Sequence, residues 1–78
     1  MARVLFLDEQ QADRTVLSES LRKKGHDVEA FTSVSEAFGR MEEEDFDLVL
    51  CDFWVQGRPA GLEILGWVKA REATTEVI

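Results

Sequence analysis

The chain has 78 residues, 45% of them apolar, with 16 acidic side chains against 9 basic and a net charge of −7. That length bounds it to one small domain, and that apolar share excludes disorder. The acidic balance argues against direct binding of nucleic acid or an anionic membrane, which need a basic face.

Val4-Leu5-Phe6-Leu7 is a continuous apolar run bounded by Arg3 and Asp8, which predicts a strand buried on both faces. The run is also too short for a signal peptide. Ala12 to Lys24 predicts a helix, with Leu17 and Leu21 four apart and Ala12 and Val16 widening the same face. Lys23-Lys24 suit its negative end, and Gly25 stands where a helix commonly stops. Val28–Phe31 predicts a short second strand, and its polar Glu29 favours a sheet edge. Ser33-Val34-Ser35-Glu36 fits a capping box. Val34, Ala37, Phe38 and Met41 then form a helical stripe.

Phe46–Asp52 (FDLVLCD) predicts the third strand, with Leu48–Cys51 as its apolar run and a carboxylate at its tip. Its single cysteine, Cys51, excludes an internal disulfide and fits a reducing, cytoplasmic setting. A loop with the only proline leads to a third helix, Gly61–Arg71, whose apolar face is Ile64, Leu65 and Val68. Val77-Ile78 read as the opening of a fourth strand. No apolar stretch approaches the roughly 18 residues of a membrane span.

Strands alternating with helices predict an α/β fold with a parallel sheet and right-handed crossovers. The polar second strand belongs at an edge, which gives the order 2-1-3. The winding reverses between strands one and three, and ligands bind such sheets in the crevice outside that reversal. Adjacent strands lie about 4.8 Å apart, so Asp8 and Glu9 converge on Asp52. Three carboxylates in one crevice repel, and they either raise a pKa or recruit a cation. All-oxygen ligands suit Mg²⁺, and a carboxylate beside it can attack phosphorus.

RVLFLDEQ, then FDLVLCD, then GLEIL, with GHDVEAF after helix one and TTEVI at the end, resembles the receiver domain of bacterial response regulators. The resemblance runs over all 78 residues. It implies a flavodoxin-like receiver fold, Mg²⁺ binding, and phosphoryl transfer from a sensor histidine kinase to Asp52. It places Asp8, Glu9, Asp52 and the main-chain carbonyl of Trp54 as metal ligands. Such a domain is a switch and not an enzyme. Three departures stand out. Glu9 replaces the family's usual aspartate. Gln56 replaces a proline in a loop one residue longer before Gly61. The family's hydroxyl residue on strand four and lysine on strand five have no counterparts. On that comparison residues 1–78 are the N-terminal part of a receiver, and the bare sheet edge invites self-association.

A pseudo-receiver serving only protein–protein contact is the alternative. A flavodoxin-like nucleotide binder is disfavoured because the anionic turn DEQQAD would repel phosphate. An aspartate-nucleophile phosphatase would want a second aspartate where Trp54 stands.

Overall fold

The computed structural model describes residues 1–71 and 73–78. Strand β1 (Arg3–Leu7) leads to helix α1 (Gln11–Lys23), then β2 (Asp27–Phe31), α2 (Val34–Glu43), β3 (Leu48–Cys51), α3 (Ala60–Ala70) and β4 (Glu76–Val77). The sheet is parallel throughout, in the order β2-β1-β3-β4. This is the flavodoxin-like order expected for strands 2-1-3, extended by the short fourth strand.

Strand β1 is central because it can be. Val4, Leu5, Phe6 and Leu7 are all buried, two to each face of the sheet. On one face Leu5, Leu7 and Val49 meet Val34, Ala37 and Met41 of α2 and Ala60, Ile64 and Val68 of α3. On the other, Val4, Phe6 and Val28 pack with Leu21 of α1 and with Leu48 and Leu50. The rings of Phe38 and Trp67 lie 6.1 Å apart and join α2 to α3.

Helix α1 does not bury the face that its apolar pattern marks. Val16 and Leu17 are 66% and 46% exposed, whereas Ser18 is buried and Arg14 and Leu21 are half-buried. Two arginines serve main-chain groups from this helix, while the buried Ser18 hydroxyl has no partner among the described residues. Arg14 donates to the carbonyls of Asp8 and Glu9, and Arg22 donates to Val28 O at 2.8 Å on the open edge of β2. Polar side chains thus satisfy backbone groups that an apolar stripe would leave bare. Leu65 likewise stands 37% exposed, and Ala60 takes the buried position beside Ile64 and Val68.

The helix ends follow local chemistry. Gly25, at φ 90°, closes α1: His26 N donates to Leu21 O and Gly25 N to Arg22 O, the paired bonds of a Schellman cap. Ser33 caps α2, accepting from Glu36 N at 3.5 Å, the outer limit of such a bond. His26 Nδ1 accepts from Ala2 N at 3.0 Å, which gives the one histidine a structural place.

Glu29 is the polar residue of the edge strand. Arg40 of α2 grips its carboxylate through two bonds, of 2.7 and 2.9 Å, and Arg3 adds a third of 3.0 Å. Arg3 also reaches Asp27 and Glu44, and its guanidinium lies 5.0 Å over the Phe46 ring. Hydrogen bonding from Arg40 is the largest cause holding the Glu29 pKa below its ordinary value. An acid with a lowered folded pKa stabilises above its unfolded pKa, and the gain is lost as pH falls through the folded one. Glu29→Gln should therefore cost roughly 1–3 kcal/mol at neutral pH. The gap from wild type should close as pH drops below the ordinary glutamate range, about 4.3. Urea melts of both proteins at stepped pH measure this.

Candidate functional site

The pairing that sets Leu7 beside Cys51 fixes what comes next. Asp8 and Asp52 are the following residues on adjacent strands, so their carboxylates leave the sheet together at its carboxyl edge. Both backbones continue the ladder by one step: Asp8 N donates to Phe31 O at 3.1 Å and Asp52 N to Leu7 O at 3.3 Å. The two predicted acids are thus held by main-chain bonds on elements buried beneath them.

Asp8 is 4% exposed, and its Oδ1 accepts from Gln10 N at 2.8 Å, which tightens the turn into α1. Asp52 is open to solvent, yet its pKa is raised. Loss of solvation is the largest cause. A hydrogen bond shared with Asp8 follows, and then the charges of Asp8, Asp13 and Glu9. Because the side chain is exposed, the neighbouring carboxylates are the part of this cost that a cation could relieve. Asp13, in the first turn of α1, belongs to the anionic crevice although its place in the helix gave no such sign. Among the described residues, no salt bridge reaches Asp8, Glu9, Asp13 or Asp52. The acids at the opposite end of the sheet are paired with arginines.

Glu9 does not join the other two. Its Oε1 accepts from the amide of Gln56 in the β3–α3 loop. Among the described residues, no group of three or more histidine, cysteine, aspartate or glutamate side chains is gathered so as to hold a metal ion. Asp8 and Asp52 thus stand side by side, and Glu9, whose charge still reaches Asp52, hydrogen-bonds the Gln56 amide.

That loop carries the structure's unusual backbone. Val55 and Arg58 exchange both main-chain bonds at 3.0 Å around Gln56 and Gly57, which stand at φ 54° and 71°. Two left-handed residues make the tight turn typical of two-residue hairpins. Val55 is fully buried and anchors the turn, while Gln56 Oε1 accepts from Val34 N at 3.4 Å, at the start of α2. Proline fixes φ near −65° and lacks the N–H, so it cannot stand at position 56. Gln56→Pro should unfold this turn and cost roughly 3 kcal/mol or more. Gln56→Gly relieves the positive φ but deletes the Oε1 bond to Val34 N, so it should cost far less than Gln56→Pro. Thermal melts of the two variants check that order.

Phe53 and Trp54, just past the acceptor strand, are 53% and 62% exposed and pack edge to face, 5.4 Å apart. Behind them an apolar groove of about 290 Å³ runs over Cys51, Leu62, Leu65 and Ile78. The Cys51 thiol donates to Asp52 O, and burial with the nearby aspartates pushes its pKa up to about 11. It is a packing residue here, not a nucleophile. The larger cleft, about 490 Å³, lies at the far end of the sheet beside Phe46, Trp67 and Arg71. It is remote from the carboxylates.

Like charges held together destabilise a fold. An acid with a raised folded pKa costs stability once pH exceeds that pKa, and the cost disappears below the unfolded value. Asp52→Asn should therefore melt above wild type at neutral pH without metal, and the two should converge toward pH 3. Mg²⁺ should narrow the gap at neutral pH by stabilising wild type alone. Calorimetric melts with and without Mg²⁺ report each part.

A crevice of carboxylates at the carboxyl edge of β1 and β3 of a parallel 2-1-3-4 sheet defines a receiver-type site. The family profile described as response regulator receiver domain matches residues 4–78, and the chain belongs to that family. A curated relative, the sensory/regulatory protein RpfC of Xanthomonas campestris pv. campestris, is 33% identical over 72 residues, which cover 92% of this chain. The chain spans about a tenth of that protein's length, 10%. Among solved structures, response regulator TrrA of Thermotoga maritima in complex with Mg²⁺ and BeF superposes with TM-score 0.85 at 25% identity. That match covers 99% of this chain and 66% of the other. A structure of histidine kinase ThkA in complex with TrrA matches with the same TM-score, identity and coverage. The chemotaxis response regulator CheY4 of Vibrio cholerae matches with TM-score 0.83 at 26% identity, covering 92% of this chain and 59% of its own. The chain is thus a receiver domain of the two-component type. None of its described helices is long and apolar enough to cross a membrane.

Proposed function

We propose that this receiver accepts a phosphoryl group on Asp52 from a sensor histidine kinase, with Mg²⁺ in the crevice. The observation that carries this is the solvent-open Asp52 carboxylate held beside buried Asp8, with no salt bridge to either among the described residues. The kinase-bound and Mg²⁺–BeF-bound TrrA structures, of the same fold, support it. In the transfer, a carboxylate oxygen of Asp52 bonds to phosphorus, the phosphorus–nitrogen bond of the donor breaks, and the leaving imidazole takes a proton.

The donor set fits the cation. Mg²⁺ favours one or two carboxylates and keeps several waters; Asp8 and Asp52 would supply two, and the family resemblance implies the Trp54 carbonyl as a third oxygen. Glu9 is a weaker candidate ligand because its carboxylate already serves the Gln56 amide. When bound, the cation offsets negative charge that gathers as the phosphoryl group meets the acids. Asp8, which Gln10 N and burial hold in place, fixes the anionic wall against which Asp52 stands. Asp52 itself, exposed at the strand tip, presents the nucleophile to a partner. On this reading the chain is the substrate of a cytoplasmic kinase and turns nothing over itself.

The pseudo-receiver alternative keeps one observation in its favour, the diversion of Glu9 from the pair. Incubation with Mg²⁺ and acetyl phosphate, followed by intact mass, separates the two. Wild type should gain one phosphoryl group, and Asp52→Asn and metal-free wild type should gain none. No gain on wild type would leave the contact-only reading in possession.

A further inference from the structure

Gln56 is a non-glycine residue with left-handed backbone, and such a residue persists only where its surroundings over-determine it. Its surroundings here are specific. Its side chain binds the first amide of α2, Val55 beside it is fully buried, and its own N–H points at the Glu9 carboxylate. The same loop begins at Asp52 and is tied back by Gly61 N donating to Phe53 O at 3.2 Å. Glu9 therefore joins the turn after β1 to the loop after β3, while its charge still reaches Asp52.

We propose that Glu9 is a positioning residue. Its carboxylate clasps the Gln56 amide and so sets the Asp52–Trp54 backbone, rather than serving as a ligand of the cation. The clasp is independent of phosphorylation. Only the denial of a ligand role rests on the reading of Asp8 and Asp52 as a cation site. A glutamate suits the task because its extra methylene carries the carboxylate farther from the β1 tip than an aspartate would. A charged acceptor also makes a stronger bond to a backbone N–H than a neutral one does.

Two measurements on the full chain test this. Glu9 is exposed, so its variants keep the core intact, which circular dichroism verifies. Amide hydrogen exchange at Gln56, without metal, should speed by about tenfold or more in Glu9→Ala, the change expected for loss of one bond to a charged acceptor. Glu9→Gln retains an acceptor oxygen and should restore most of the protection. Calorimetric Mg²⁺ titration should show both variants within about tenfold of wild-type affinity, the residual change coming from lost charge at a distance. Equal Gln56 exchange in wild type and Glu9→Ala would overturn the clasp. A loss of Mg²⁺ affinity beyond tenfold in Glu9→Gln would overturn the denial of a ligand role. If wild type binds no Mg²⁺ at all, the cation reading fails, and the exchange comparison still decides the clasp.

Discussion

The parallel register between β1 and β3 is the constraint on which the molecule depends. Once Leu7 stands beside Cys51, the next residues, Asp8 and Asp52, have nowhere to go but side by side. No local preference would choose that arrangement, because two carboxylates repel. The core imposes it. Leu5, Leu7 and Val49 are fully buried between the sheet and α2 and α3, and a slip by one residue would turn that row toward the wrong face. Hydrophobic burial far from any charge thus sets the charge geometry of the site, and the repulsion is a cost the core can bear.

The two ends of the sheet treat their acids in opposite ways. At the amino edge Arg3 and Arg40 between them meet Asp27, Glu29, Glu43 and Glu44. At the carboxyl edge Arg14 turns one guanidinium nitrogen, Nη1, to the carbonyls of Asp8 and Glu9 and forms no salt bridge with the crevice acids among the described residues. A chain with net charge −7 could have spread its nine basic residues evenly. Pairing at the amino edge, with no salt bridge reaching Asp8, Glu9, Asp13 or Asp52 among the described residues, leaves an anionic crevice at the carboxyl edge. The polarity of the fold is therefore electrostatic as well as topological.

Strands were readable because burial on both faces leaves an unbroken apolar run, and Leu48–Cys51 is bounded as its run predicts. The tip acids were readable because a charge ending such a run has few other uses. Helix α1 was misread on its buried face because hydrophobic periodicity assumes that packing, and not main-chain satisfaction, chooses the face. Arg14 and Arg22 show the second demand winning. Asp13 closes the anionic DEQQAD turn in the sequence, but its place in the first turn of α1, where an acid suits the helix dipole, gave no sign that its charge acts on Asp52.

The departures from the family pattern at Glu9 and Gln56, with the longer loop, look like separate losses in the sequence. The structure makes them one change. An added residue in the β3–α3 loop permits a two-residue left-handed turn, and that turn requires a residue other than proline at its first central position. With the proline gone, position 56 regains an N–H, and that N–H faces the crevice without a strand partner. The Glu9 carboxylate accepts from that N–H, and a glutamate side chain reaches farther from the β1 tip than an aspartate would.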